Sequence, residues 1–196
     1  MTHVPVRAST IQIPQLVEVY ASAFLDDPMI RWPLPVDIGL LECSAMFQIL
    51  LEPYVDLGVV WQVEECAGSA AWLDPSAAAH FGEIDRAMRH QVAPLTDDGG
   101  VRYGIFWDWL GSQVPEEPCW FLDMVAVHPK QQGSGLGRVL IEHGLALARS
   151  DGLPAFLETS QVRNVGYYEG FGFEVIGQER APGGGPEIWF MRHPGC

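Results

Sequence analysis

An apolar strand that runs into a glycine-rich loop, and leaves it as an amphipathic helix, constrains this chain more than any other feature. The segment reads Val125-Ala126-Val127-His128-Pro129-Lys130-Gln131-Gln132-Gly133-Ser134-Gly135-Leu136-Gly137-Arg138. Leu136, Val139, Leu140 and Leu147 give the departing helix a buried stripe, so it must pack on the sheet that the strand enters. Glycines let a backbone approach a ligand and take conformations that side chains forbid. The first N–H groups of a helix have no internal partner and lie at the positive end of its dipole. Together these features make an anion cradle suited to a pyrophosphate. The spacing is not that of a Rossmann loop, which wants G-x-G-x-x-G directly after its strand, and no G-x-x-x-x-G-K-[ST] occurs. The competing reading is a glycine-rich turn that only starts a helix.

The rest of the chain fits a layered α/β arrangement. Helices are expected over 8–25, with Leu16, Tyr20 and Phe24 on one stripe, and over 37–57, with Ile38, Leu41, Ala45 and Ile49 in register. An irregular linker over 29–35 separates them. Short strands at 58–64 and 68–73 flank a turn, and Ser76 is the expected cap of a helix that runs to about residue 91. A helix around 101–110 carries Trp107 and Trp109. Strands follow at 119–127, 154–159, 173–177 and 187–191, with helices at 135–150 and 164–170 and a glycine turn at 182–186. The expectation is one domain over 1–196, of α/β (α+β) class, with helices on both faces of a mixed sheet.

Charge narrows the partners. The net charge is -14, from 25 acidic and 11 basic residues, and Lys130 is the single lysine. Such a field repels nucleic acid and raises the local concentration of cations such as amines. No segment reaches the roughly 20 unbroken apolar residues of a membrane span. Residues 1–9 do not read as a secretion signal, so a soluble, cytoplasmic protein is expected with no membrane partner. Cys43, Cys66, Cys119 and Cys196 form no C-x-x-C pair, and the six histidines show no metal-binding spacing, so no metal is expected. His128 reads as a turn residue, and His143 as a packing or surface residue. Cys119 has no neighbour in sequence that would activate it as a nucleophile.

The spacing Q-x-x-G-x-G, with Gln132, Gly135 and Gly137, resembles the coenzyme A pyrophosphate motif of the GNAT N-acetyltransferase superfamily. A second stretch, from Leu157-Glu158-Thr159-Ser160 through Arg163-Asn164 to Tyr167-Tyr168 and Gly172-Phe173, is similar to the other half of such a site. From about residue 116 onward the chain looks most like the puromycin N-acetyltransferase subgroup, and it departs from that pattern over 94–114 and at Asp123. The resemblance implies a mostly antiparallel sheet of about six or seven strands that splays between the strands at 119–127 and 154–159, the fourth and fifth of that fold. It implies acetyl-CoA as donor, held by Val125, Ala126, Val127, Gln132, Gly133, Ser134, Gly135, Leu136, Gly137, Arg138 and Asn164. The acceptor it implies is a primary amine of a small molecule, often an antibiotic, acetylated by direct attack in a ternary complex. Tyr168 takes the position of the general acid that protonates the departing sulfur.

The base is open among Asp123, Glu158 and a chain of waters; Glu158 is favoured because it adjoins the exit toward Asn164, and either carboxylate reads equally well as an ordinary strand residue. Trp32, Trp107 and Trp109 are candidate walls of the acceptor pocket, with core packing the stronger expectation for each alone. Two other functions compete: a GNAT-fold sensor of acyl-CoA or a small ligand without turnover, and an acetyltransferase of protein N-termini or lysines. A monomer or a homodimer fits equally, and an acyl donor longer than acetyl is open.

Overall fold

The computed structural model describes residues 3–195, with Ala79 and Phe81 described by their backbone alone. Seven strands form one sheet in the order β1-β2-β3-β4-β5-β7-β6. They are β1 (Val6–Arg7), β2 (Val60–Val63), β3 (Gly68–Leu73), β4 (Trp120–Val127), β5 (Ala155–Thr159), β6 (Glu174–Arg180) and β7 (Glu187–His193). All neighbouring pairs are antiparallel except β4 and β5, which run parallel. The helices are α1 (Ile13–Phe24), α2 (Pro28–Arg31), α3 (Leu40–Asp56), α4 (Pro75–Val92), α5 (Val101–Gly111), α6 (Leu136–Asp151) and α7 (Val162–Glu169). Among the described residues no helix is long and apolar enough to cross a membrane.

Local chemistry moves several boundaries from those expected. Pro14 sits in the first turn of α1, where its missing N–H costs nothing, so the helix starts later than residue 8 and a 3-10 turn over Thr10–Gln12 precedes it. The expected linker over 29–35 holds α2, because Asp27 accepts a hydrogen bond from Met29 N at 2.9 Å and Pro28 begins the turn. Ser76 does not cap α4. Asp74 does, accepting from Ser76 N and Ala77 N, with Pro75 in the first turn.

The sheet separates two hydrophobic clusters. One packs α1, α3, α4 and α5 on the face that carries Phe121, Ala126 and Phe156. The other packs α6 and α7 on the face that carries Trp72, Trp120, Leu122 and Leu157. Helices therefore cover both faces, as expected. On the α6 side, Trp72 donates its indole N–H to Leu140 O at 3.2 Å. Gly144 makes this possible, because a Cβ there would lie 2.0 Å from the Trp72 ring.

Candidate active site

Two irregularities in β4 open the centre of the sheet. The strand pairs with β5 only through Trp120↔Ala155 and Phe121↔Phe156, and beyond them the two strands part. The expected splay is present. Against β3, the register skips from Leu122↔Trp72 to Met124↔Ala71, so Asp123 is the extra residue of a β-bulge. Leu122 and Val125 both face α6, while Met124 joins the opposite cluster. The bulge turns Asp123 to that opposite side, where the Tyr54 hydroxyl of α3 hydrogen-bonds its carboxyl. Glu158 alternates with Leu157 on β5 and so points to the same side as Asp123.

A cavity of about 730 Å³ passes through the splay. Its walls bring together Asp123, Val125, Ala126, Val127, Gln132, Gly133, Gly135, Leu136, Gly137, Arg138, Glu158, Asn164 and Tyr168. Of the residues expected at the site, Ser134 alone is not in the wall. Its hydroxyl turns back to donate to Gln131 O, and its N–H reaches the same carbonyl at 3.3 Å, so it braces the loop. Trp107 lines the cavity, while Trp32 and Trp109 do not. Instead, Trp32 stacks under the Arg102 guanidinium and Trp109 packs against Phe190.

The floor of one half is main chain. His128 N donates to Ala67 O at 2.9 Å, and ladder bonds alternate along an antiparallel pair. The N–H and C=O groups of Ala126 therefore face β3, and those of Val125 and Val127 face the gap. Gln132 reaches back to Val127 O at 3.4 Å, which holds the loop over this edge. Gly133 and Gly135 have φ of +79° and +90°, and nothing lies within 4 Å of where a Cβ would stand at either. Gly135 is the N-cap of the 16-residue α6, whose first N–H groups open into the cavity wall. These features fit a pyrophosphate lying across the loop with its attached arm along β4.

The carboxyls of Asp123 and Glu158 are exposed only in part, and both line the cavity. Burial raises the pKa of Asp123 from 3.8 to about 7, against the opposing effect of the Tyr54 hydrogen bond. Burial, with the charge of Asp123 added, holds Glu158 well above the usual carboxylate range. Tyr168 is 8% exposed, and burial raises its pKa with smaller contributions from Tyr167, Asp27 and Glu158. Asn164 donates to Thr159 Oγ1 at 3.4 Å at the start of α7. The arrangement combines an anion cradle, a carboxyl that titrates near neutrality and a phenol, all reachable from one cavity.

Comparison with known proteins identifies the family. The model of the acetyltransferase (GNAT) family matches residues 47–173. The chain belongs to the GNAT acetyltransferase family. An uncharacterised N-acetyltransferase of Schizosaccharomyces pombe is 28% identical over 139 residues, which cover 66% of this chain and 56% of that protein. The chain spans between 52% and 59% of the curated relatives it matches. A Corynebacterium glutamicum structure described as histone acetyltransferase HPA2 and related acetyltransferase superposes with a TM-score of 0.72 at 24% identity, covering 99% of this chain and 97% of its own. The Drosophila melanogaster polyamine N-acetyltransferase that forms N-acetylagmatine superposes with a TM-score of 0.63 at 16% identity, covering 97% of this chain and 99% of its own. At these identities the two structures establish the GNAT fold.

Several residues of this GNAT site escaped the sequence. Tyr54 lies 69 positions before Asp123, on a helix whose pattern does not show that this side chain meets a carboxyl. Tyr167 is exposed along one side, and its hydroxyl lies 3.1 Å from where a Cβ on Gly137 would stand. Asp27 accepts from Ser160 Oγ at 2.9 Å, tying the α1–α2 junction to the end of β5. The discounted residues hold simple places: His128 Nδ1 accepts from Lys130 N, and His143 meets Trp61 edge to face, with ring centroids 4.2 Å apart. Burial raises the Cys119 thiol pKa, the wrong direction for a nucleophile.

Proposed function

We propose that this GNAT chain transfers an acetyl group from acetyl-CoA to a primary amine of a small molecule. The observation that carries the reading is the single cavity that joins the glycine cradle at α6 to the Asp123, Glu158 and Tyr168 cluster. Acetyl-CoA supplies the acetyl carbon as an activated thioester. Gln132, Gly133, Gly135, Leu136, Gly137 and Arg138 hold the pyrophosphate, chiefly through N–H groups at the start of α6. The main chain of Val125 and Val127, with Ala126 between them, orients the arm beside β4, and Asn164 closes the other side. The Val125 and Val127 N–H groups are preorganised donors for charge on the carbonyl oxygen.

Asp123 serves as base. Its position in the bulge faces the acceptor side, and a carboxyl near 7 is matched to proton transfer at neutral pH. Burial, with the charge of Asp123 added, holds Glu158 well above the usual carboxylate range, so Asp123 is the better placed of the two to take the proton. The acceptor nitrogen gives a proton to Asp123 and bonds to the acetyl carbon; the carbon–sulfur bond breaks, and Tyr168 gives its hydroxyl proton to the sulfur. Atoms and charge then balance, with one proton gained by Asp123 and one lost by Tyr168.

A small acceptor is favoured because helices α1, α3, α4 and α5 all contribute walls to the acceptor half. The likeness from about residue 116 onward to the puromycin N-acetyltransferase subgroup supports antibiotic-like amines among the acceptors. Thiol release from acetyl-CoA with a panel of primary amines, puromycin included, tests the reading. Turnover on some amine is expected, with a steep loss in Tyr168→Phe. Binding of acetyl-CoA without turnover on any amine would favour a sensor, and absence of acetyl-CoA binding would overturn the reading.

A further inference from the structure

Two departures from regular structure meet at the splay. In β4 the bulge takes Asp123 out of the pairing with β3, so the alternation of a regular strand no longer fixes where its carboxyl points. In α3, Pro53 lies inside the helix, where its missing N–H breaks the hydrogen-bond ladder one residue before Tyr54. The residues at these two breaks touch, because the Tyr54 hydroxyl hydrogen-bonds the Asp123 carboxyl. Both line the cavity, and Tyr54 is 2% exposed.

Other titratable groups face Asp123 from the elements packed around it. Its charge acts on Tyr20 of α1, Tyr103 of α5 and Glu158 of β5, and the charges of Asp85 and Arg89 of α4 act on Tyr103 in turn. Tyr168 of α7 feels Glu158, and Asp26 and Asp27 line the same cavity from the α1–α2 junction. β3 brings Ala71 and Trp72, which carry no charge. The tyrosines of this group have different tasks. Tyr20 donates its hydroxyl to Ser69 Oγ at 3.1 Å, and Ser69 Oγ donates to Trp61 O at 2.9 Å. Tyr54 is the one whose hydroxyl meets the Asp123 carboxyl.

We propose that Tyr54 is a positioning residue for acetyl transfer: its hydroxyl holds the bulged Asp123 carboxyl toward the cavity in the form that accepts the amine proton. The proposal rests on Asp123 as the base. An ionised carboxylate only accepts hydrogen bonds and has several lone pairs to offer, so one phenol anchors it and leaves room for the amine. A phenol that donates to the carboxylate favours the ionised form, against the burial that disfavours it. Once the proton has arrived, the same hydroxyl still has a lone pair to donate to, so the carboxyl keeps its orientation through the cycle. Tyr54 acts through Asp123 and not on the reacting atoms.

Tyr54→Phe keeps the ring in α3 and removes the hydroxyl. The ratio of wild-type to variant kcat/KM is followed from pH 6 to pH 9, and the substitution is repeated in the Asp123→Asn background. Loss of one hydrogen bond to an ionised carboxyl is expected to move its midpoint up by about one pH unit, from about 7 to about 8. The ratio is then expected to be about ninefold at pH 6 and to shrink to about one at pH 9. In the Asp123→Asn background the same substitution is expected to cost less than about twofold at any pH. Tyr20→Phe removes the hydroxyl that serves Ser69 and is expected to leave the pH profile where it is. A second readout needs no turnover: NMR of carbon-13-labelled aspartate carboxyls, with the Asp123 signal identified by its absence in Asp123→Asn. That signal is expected to titrate about one unit higher in Tyr54→Phe. An unmoved titration overturns the proposal, and so does an equal loss of activity in the Asp123→Asn background, which a merely structural tyrosine would give. A titration that moves while the activity ratio stays constant with pH upholds the hold of Tyr54 on the carboxyl and sinks Asp123 as base.

Discussion

Asp123→Asn separates the base from every other part of the site. The wild-type carboxyl titrates near 7, so the ionised fraction climbs from about one in eleven at pH 6 to about ten in eleven at pH 8. A reaction that requires Asp123 as base therefore gains about tenfold over those two units from this group alone. The amide cannot accept the proton, so the variant loses the gain and falls below wild type by roughly 10²- to 10⁴-fold at pH 8. The acceptor amine also titrates, but its contribution cancels in the ratio of wild-type to variant kcat/KM, which is the quantity to plot. That ratio should grow about tenfold from pH 6 to pH 8. Stability moves the opposite way. The native state holds its Asp123 proton more tightly than the unfolded chain, so this contribution is complete below about pH 4 and is lost as pH rises through about 7, by up to roughly 1.4 kcal/mol per unit. The melting temperature of Asp123→Asn should therefore gain on wild type between pH 5 and pH 8. A wild-type to variant ratio that is flat with pH would refute the assignment of Asp123 as base, whatever the absolute loss of activity.

Three other outcomes are expected. Tyr168→Phe should lower kcat by roughly 10²-fold or more while thermal unfolding changes little, because no protein hydrogen bond to the hydroxyl is recorded among the described residues and the ring contacts to Tyr167 and Phe173 remain. Gly144→Ala should cost roughly 1–3 kcal/mol and lower the melting temperature by roughly 2–12 °C, since its methyl would stand 2.0 Å from Trp72. Gly135→Ala should weaken acetyl-CoA binding roughly tenfold in a calorimetric titration, because φ there is +90°. Gly82→Ala in α4, with nothing within 4 Å, should leave that affinity alone.

The glycine-loop half of the cavity was legible because it is contiguous. Strand, loop and helix follow one another over 125–138, and the chemistry of an anion cradle resides in backbone conformations that glycine spacing reports directly. The shared place of Asn164 and Tyr168 in the cavity wall was legible for a similar reason, the two being four positions apart on one short helix. The bulge at Asp123 was not, because Trp120 to Val127 reads as a regular strand and the skipped register exists only against β3. Tyr54 was hidden because an amphipathic helix gives no sign of which side chain meets a distant carboxyl, and the short α2 was hidden by Pro28 at its start and by Pro33 and Pro35 after it. The two-residue β1 is too short for any periodicity to show, and it is held by pairing with Trp61 and Gln62. Apart from α2, whose cap is local, the missing information is a contact between distant segments.

The division of the hydrophobic interior into two clusters, one on each face of the sheet, has an evolutionary consequence. The glycine loop hangs from α6, and α6 is anchored by Trp72 and Gly144 in one cluster. The acceptor walls hang from α1, α3, α4 and α5 in the other. A substitution that reshapes Met88 or Trp107 is insulated by a sheet from the lattice of contacts that positions the glycine loop. Such a chain can exchange one acceptor for another through ordinary drift, with its capacity to recruit the donor kept intact at every step.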